Sequence, residues 1–308
     1  MKRREFIKKS VGAGVVAGTA ISVLNNESLF AINKYKSDDL PYDLVAIKGG
    51  GPEAMFDKAI ASLGGMSKFV RKNQTVVVKP NIGWDSTPER AANTNPNLVG
   101  RIVEHCIMAG AKDVYVVDHT CNEWTRCYRN SGIEDAVKKA GGKIVAGNSS
   151  GNYHPVEIKG GKVLKNARVH ELILESDVFI NVPTLKSHGG ARLSICMKNL
   201  MGIVWNRSWW HANDLQQCIA DFSTYIKPDL NVVDAYRVLK RNGPRGVSVN
   251  DVVTMKYQVL GTDMVAADAA STKIFGLRPE EVRHITLAHE LGSGTKNLDK
   301  LKINRITI

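Results

Sequence analysis

The chain has 308 residues, of which 43% are hydrophobic and 23% charged, a composition that excludes a disordered chain, a collagen and a disulfide-dense mini-protein. Lysine and arginine outnumber aspartate and glutamate by 42 to 30, which gives a formal charge of +12 at pH 7. The basic residues are spread along the chain and aromatic residues make up only 6%, so we expect no nucleic-acid partner. This charge favours an anionic small molecule or a negatively charged surface as partner.

The N-terminal segment, residues 1–31, resembles an export signal. Arg3 and Arg4 precede Phe6 in a basic stretch, and small, weakly apolar residues follow at 10–24. This order is typical of twin-arginine signals, and the apolar part is shorter than the ~20 residues that a transmembrane helix needs. We therefore predict the twin-arginine export machinery as a partner and a periplasmic or cell-envelope location. Membrane attachment is expected only through this segment, if it stays uncleaved.

Residues 32–41 are polar and form a predicted linker, and a single domain is predicted over residues 42–308. In that domain short apolar strands alternate with helices, which is the pattern of a parallel sheet covered by helices. An alternating segment at 156–163, with two central glycines, predicts a small hairpin. The predicted fold class is α/β, a mostly parallel sheet covered by helices on both faces with a small β-hairpin excursion. Strands are predicted at 43–47, 75–78, 113–118, 143–146, 177–182 and 230–234, and helices at 52–64, 97–109, 132–140, 192–204, 214–226 and 268–275.

Polar side chains follow the predicted strands where each one ends. Lys79 and Asn81 come after the second strand, Asp118 ends the third, and Asp234 ends the sixth. The carboxyl ends of parallel strands meet at one edge of a sheet, and ligands of open α/β sheets bind there. We therefore expect these side chains to lie together in one site.

The densest polar segment, residues 181–202, follows the fifth predicted strand. A helix that begins near residue 191 would direct its N-terminal amides at an anion. A basic, glycine-rich loop at 240–246 is a candidate to close over the same ligand. The residues predicted to bind a phosphate or carboxylate are Lys79, Asn81, Lys186, Arg192, Lys198, Asn199 and Arg245.

His188, in the middle of this segment, is the candidate general acid or base. An imidazole suits that role because its ordinary pKa lies near neutrality. Asp118 or Asp234 would orient the ring, so the predicted catalytic residues are these three.

A metal or redox site is the second hypothesis. His119, Cys121 and Cys127 are the candidate ligands, and imidazole with thiolate suits zinc, copper or iron. The sequence has no C-x-x-C motif, so neither a four-cysteine zinc site nor a ferredoxin-type cysteine run is indicated. No particular cofactor follows from the residues.

Several of these motifs together resemble the family called domain of unknown function 362. They are the run 77–81, the run 181–188, the run 198–202, Asp234–Ala235 with the later Gly243–Gly246, and Ala266–Asp268. The resemblance implies a single α/β domain and no settled biochemical activity. Some members are described as iron–sulfur proteins because of an added ferredoxin-like segment, but this chain lacks those cysteine runs.

The leading hypothesis is an exported enzyme that acts on a small anionic molecule, bearing phosphate or carboxylate, at the strand carboxyl ends. The alternatives are a metal or iron–sulfur redox protein and a ligand-binding protein without catalysis. The residues do not distinguish acyl, phosphoryl and redox chemistry, so whether the chain is an enzyme stays open.

Overall fold

The computed structural model describes residues 40–308, and the predicted export signal lies outside them. Within that range no helix is both long and apolar enough to cross a bilayer. The strands are β1 Leu44–Lys48, β2 Thr75–Pro80, β3 Asp113–Asp118, β4 Lys143–Ala146, β5 Tyr153–Glu157, β6 Asn166–His170, β7 Val178–Val182, β8 Thr184–His188, β9 Arg192–Ser194, β10 Leu230–Leu239, β11 Val252–Gly261 and β12 Ile303–Thr307. The helices are α1 Pro52–Ser62, α2 Pro96–Met108, α3 Trp124–Asn130, α4 Ile133–Lys139, α5 Glu171–Glu175, α6 Cys196–Asn199, α7 Ser208–Ala212, α8 Leu215–Tyr225, α9 Met264–Phe275 and α10 Arg283–Glu290.

The main sheet runs in the order β12-β1-β11-β10-β7-β2-β3-β4. The run from β10 to β4 is parallel throughout, whereas β11 is antiparallel to both of its neighbours, β1 and β10. The central strands are buried along nearly their whole length, in keeping with their largely apolar sequences. Their carboxyl ends therefore lie at one edge, beside β8, which pairs with β10 further along the same direction.

Helices cover both faces of this sheet, so the predicted fold class is confirmed. On one face Phe56 of α1 and Ile102 of α2 pack against Val78. On the other, Phe222 of α8 and Val265 of α9 pack around Val77. The side chains of successive strand residues thus point into opposite cores, which is why both faces of these strands are apolar.

The small hairpin exists, but its second strand was predicted at the wrong residues. β5 pairs with β6 in antiparallel register, from Tyr153 opposite His170 to Glu157 opposite Asn166. The residues around the two glycines form the connection instead of a strand. Its backbone amides at Val163 and Leu164 donate to Asp221 of α8, and the Leu164 side chain is buried in the core.

The segment 184–204 departs most from the prediction. Residues 184–188 form β8, and residues 192–194 form β9, which pairs back onto it. The predicted helix at 192–204 is reduced to α6 and a short 3₁₀ turn. The first amides of α6, at Cys196 and Met197, donate to the buried Asp268 carboxylate at 2.7 and 3.2 Å. The expected anion site at this helix start is therefore wrong, because the protein supplies its own carboxylate there.

Replacing Asp268 with alanine should destabilise the fold, because it leaves two buried N–H groups without an acceptor. We expect a loss of about 1–3 kcal/mol in the free energy of unfolding for each of those groups. Urea denaturation followed by circular dichroism measures the change. The exposed Asp299→Ala variant is the control, and equal stability of the two variants would contradict the capping role.

Candidate functional site

A cavity of about 570 Å³ opens at the carboxyl ends of β2 and β3 and along β8. This volume lies within the range of small-molecule sites. We call it the lysine pocket, because three lysines line it. Its other charged or polar lining residues include Asn81, Asp118, Thr120, Cys121, His188, Ser194, Asn199, Arg207, Ser208 and His211.

A buried ion pair forms the floor of the lysine pocket. Lys79 Nζ lies 2.9 Å from Asp118 Oδ1, and both side chains are almost fully buried. The same ammonium donates to the backbone oxygen of Asn199 at 2.7 Å and to its side-chain oxygen at 2.8 Å. Burial lowers the pKa of Lys79, and the neighbouring Asp118 opposes that shift. The three ammonium hydrogens of Lys79 thus meet three protein acceptors.

A chain of asparagine side chains connects the strands beneath this floor. Asn199 Nδ2 donates to Asn181 Oδ1 at 2.9 Å, and Asn181 Nδ2 donates to Asn231 Oδ1 at 3.0 Å. In the other direction Asn81 Nδ2 donates to Asn199 Oδ1 at 3.1 Å. The segment that follows β2 is therefore joined to α6, β7 and β10 through side-chain amides.

Gly202 makes the close approach of the ion pair possible. A side chain at this position would overlap Asp118 Oδ1 and Lys79 Nζ. The backbone oxygen of Gly202 also accepts a hydrogen bond from His119 N at 2.9 Å, which ties the turn after α6 to the end of β3. Only glycine fits against the buried pair here.

Lys186 reaches the same pocket from β8 and is almost fully buried. Its ammonium donates to Asn81 Oδ1 at 3.1 Å and to the backbone oxygen of Ala92. Burial lowers the pKa of Lys186 to about 7. Two of its three hydrogens are thus used by the protein, and one is left for a ligand.

Lys198 and Arg207 complete the positive charge of the pocket. Lys198 is half-buried, and within residues 40–308 its ammonium makes no hydrogen bond or ion pair. Partial burial lowers its pKa to about 8, and the positive charges of Arg207 and Lys79 act in the same direction. The Arg207 guanidinium donates to the backbone oxygens of His119 and Thr120, each at 2.6 Å, and keeps further donors.

His188 lines the pocket, but its ring is held differently from the prediction. Its Nδ1 accepts from the backbone amides of Gly190 and Ala191 at 3.1 and 3.0 Å, so Nε2 carries the proton. Burial, with Lys198 and Lys186 nearby, lowers the pKa of His188 to about 3. The ring is therefore a neutral hydrogen-bond donor at neutral pH.

Neither predicted aspartate orients that ring, because each is held by other groups. Asp118 pairs with Lys79 and accepts from Ile82 N at 2.7 Å. Asp234 lies outside the pocket lining and accepts from the backbone amides of Asn95 and Tyr236. Burial raises the pKa of Asp234 to about 6. Its position supports a structural role at the start of α2.

Two of the predicted anion-binding residues lie outside the pocket. Arg192 begins β9 with an exposed side chain, on the strand opposite His188. Arg245 is exposed, although Gly243 and Pro244, which precede it in the same loop, line the pocket. Five of the seven predicted residues line one cavity: Lys79, Asn81, Lys186, Lys198 and Asn199.

The predicted metal ligands do not come together. Cys121 is exposed at the pocket, whereas Cys127 is buried with Sγ 3.9 Å from Gly83 O. His119 stacks on Trp205 with a centroid distance of 4.9 Å, and its Nδ1 lies 3.2 Å from Val204 O. In the described part of the chain, no three His, Cys, Asp or Glu side chains form a cluster able to hold a metal ion.

Sequence reasoning missed Arg207 and assigned no definite role to His211. Arg207 lies in an irregular segment between a 3₁₀ turn and α7, where no periodic pattern marks it. His211 lies near the pocket mouth with its ring 6.2 Å from that of His188, at an interplanar angle of 18°. The neighbouring tryptophans, Trp209 and Trp210, are the signal in the sequence that marks this segment.

Comparison with known proteins finds a similar sequence and partial structural matches. A thylakoid-associated protein of Synechocystis is 26% identical over 244 residues, which are 75% of this chain and 72% of that protein. The lactate racemase apoprotein of Thermoanaerobacterium thermosaccharolyticum superposes with a TM-score of 0.44 at 13% identity. A crystal structure of a Thermotoga maritima protein gives a TM-score of 0.44 at 11% identity.

The structural alignments cover more of this chain than of the two solved structures. These structures align with 80% and 78% of this chain, which spans only 56% and 60% of their own lengths.

The sequence signature described as "domain of unknown function (DUF362)" matches residues 76–273, more than half of the chain and nearly all of the strands that build the pocket. The protein therefore belongs to the DUF362 family.

Proposed function

We propose that the lysine pocket binds a small molecule bearing a carboxylate or phosphate, and that the protein is an enzyme acting on it. The observation that carries this proposal is an excess of positive charge with unused donors. Four cations line the cavity: Lys79, Lys186, Lys198 and Arg207. Among the lining residues in the described part of the chain, Asp118 is the only acidic side chain. A buried or half-buried cation without an acceptor is costly unless a ligand supplies the anion.

The donors divide into structural and ligand-facing groups. Lys79 spends its hydrogens on Asn199 and Asp118, so it holds the floor in place. Lys186 keeps one hydrogen, Lys198 keeps all three, and the Arg207 guanidinium keeps those not directed at carbonyls. A carboxylate or phosphate offers several oxygens and suits such converging donors.

Catalysis, as opposed to binding alone, is supported by a group poised for proton transfer. An acid or base works best when its pKa lies near the operating pH. Lys186, with a pKa of about 7, meets that condition inside the cavity. His188 does not, because its Nδ1 is occupied and its pKa is about 3, so we assign it to hydrogen bonding with the ligand.

Replacing Lys198 with methionine should weaken anion binding without harming the fold. A charge-assisted hydrogen bond contributes about 1.5–3 kcal/mol, so we expect Kd for oxalate or phosphate to rise roughly ten- to a hundredfold. Calorimetric titration measures Kd, and thermal unfolding of the unliganded variant checks stability. Lys186→Met should show the same loss of binding.

The matched control is Lys300→Met, which removes an exposed lysine outside the pocket. Unchanged anion binding in both pocket variants, with binding detectable in the parent protein, would contradict the proposed site. Failure of a broad set of carboxylates and phosphates to bind the parent protein would contradict the proposed function itself.

Anion affinity should fall as pH rises from 6 to 9. Lys186 and Lys198 are charged below pKa values of about 7 and about 8, and each loses its proton as pH rises through that value. If binding requires the charged amine, affinity falls by about tenfold per pH unit for each amine above its pKa. Titrations with oxalate at a series of pH values test this slope.

Lys198→Arg provides the control for that pH profile, because a guanidinium stays charged throughout the range. The variant should bind at pH 8–9 with a shallower decline than the parent protein. An affinity independent of pH in the parent protein would show that the amines do not pair with the ligand.

We also propose that the protein reaches the cell envelope by the twin-arginine route, as the order of residues 1–24 supports. The Arg3→Lys and Arg4→Lys double substitution should leave the protein in the cytoplasm of a host that has this machinery. Cell fractionation with an antibody measures the distribution. Export of the double variant at the parental level would exclude this route.

A further inference from the structure

Lys198 differs from the other cations of the lysine pocket because no residue in the range 40–308 gives it a hydrogen bond or an ion pair. Lys79 meets three acceptors, Lys186 meets two, and Arg207 meets two backbone oxygens. For Lys198 the described residues supply none, although its side chain lines the cavity. Its amine therefore faces the ligand space with no hydrogen bond that would have to be broken first.

The surroundings of Lys198 favour the uncharged amine. Burial lowers the pKa of Lys198 to about 8, and the positive charges of Arg207 and Lys79 act in the same direction, whereas Cys121 and Asp118 oppose that shift. Lysines that form imines with carbonyl compounds are activated in these ways, by desolvation or by a second cation nearby. About a tenth of such amines are neutral at pH 7, compared with a very small fraction for an ordinary lysine.

The remaining donors are placed to hold a charged group while Lys198 reacts. Lys186 is fixed by the backbone oxygen of Ala92 and Arg207 by those of His119 and Thr120, so their free hydrogens have defined positions. Nε2 of His188 adds a neutral donor, since its Nδ1 is taken by backbone amides. Such a set suits a molecule with an anionic group at one end and a polar carbonyl oxygen beside it.

We propose that Lys198 Nζ forms a Schiff base with an anionic aldehyde or ketone held in the lysine pocket. The proposal rests on the proposed anion binding and specifies the substrate class. The neutral amine adds to the carbonyl carbon, and a proton moves from nitrogen to the former carbonyl oxygen. Loss of that oxygen as water, with one proton taken up, leaves a protonated C=N bond. The overall step converts one ammonium and one carbonyl into one iminium and one water.

Reductive trapping tests the proposal on the parent protein. Pyruvate serves as the carboxylate probe and dihydroxyacetone phosphate as the phosphate probe, each with cyanoborohydride. We expect one covalent adduct per chain with at least one probe, which peptide mass spectrometry assigns to Lys198. Excess oxalate or phosphate should suppress the adduct. Each competes for the pocket, and neither has a carbonyl carbon that forms an imine with an amine.

Lys198→Arg is the decisive variant, because it keeps the charge and removes the nucleophilic amine. It should lose the adduct, whereas Lys300→Met should form the adduct and bind oxalate as the parent protein does. An adduct on Lys186, labelling spread over surface lysines, or no adduct with either probe would overturn the proposal. If oxalate still stabilises the protein in those cases, anion binding survives; if no anion binds, the proposed function falls as well.

Discussion

The buried pair of Lys79 and Asp118 is the interaction on which the site depends. Two charges almost fully removed from water are stable only when each finds further hydrogen bonds. Lys79 obtains them from Asn199, and Asp118 obtains one from the backbone amide of Ile82. The pair therefore fixes the ends of β2 and β3 against α6, and Gly202 is needed so that these groups can meet. Breaking one partner of such a pair typically costs about 3–5 kcal/mol.

From this floor the remaining site follows in order. Asn199 connects the pair to Asn81, and Asn81 in turn accepts from Lys186. Asn199 also donates to Asn181 of β7, so the central strands share one set of amides. Lys198 and Asn199 are neighbours on α6 and both line the cavity, but Asn199 is bonded to Lys79 and Asn181, whereas Lys198 makes no hydrogen bond among the described residues. One residue thus holds the structure while the adjacent residue is left for a ligand.

Much of the fold and a part of the site could be predicted from the sequence. Apolar runs such as residues 75–78 are long enough and β-branched enough to mark central strands, and the strand-end rule brought Lys79 and Asp118 together. β8 escaped prediction because its polar sequence, with Lys186 and His188, carries no strand pattern. It forms because the long β10 offers hydrogen-bonding positions beyond the end of β7.

The direction of each polar group could not be predicted, because it depends on residues distant in the chain. Asp268 caps α6 through the backbone amide of Cys196, 72 positions away in the chain. His188 received its neutral form from two amides of the following turn, which no spacing indicates. Arg192 and Arg245, like Lys186, are basic residues in polar segments of the sequence. Their side chains are nonetheless exposed to solvent, because they lie just outside the converging strand ends.

The asparagine chain has a consequence for how the protein responds to acidity. Carboxamides neither gain nor lose protons over the biological range, so the links among Asn81, Asn199, Asn181 and Asn231 keep the same donors and acceptors at every pH. These amide links therefore do not titrate, whereas the amines that they support respond strongly to pH. Acidification increases the positive charge of the cavity without altering the hydrogen bonds among these asparagines.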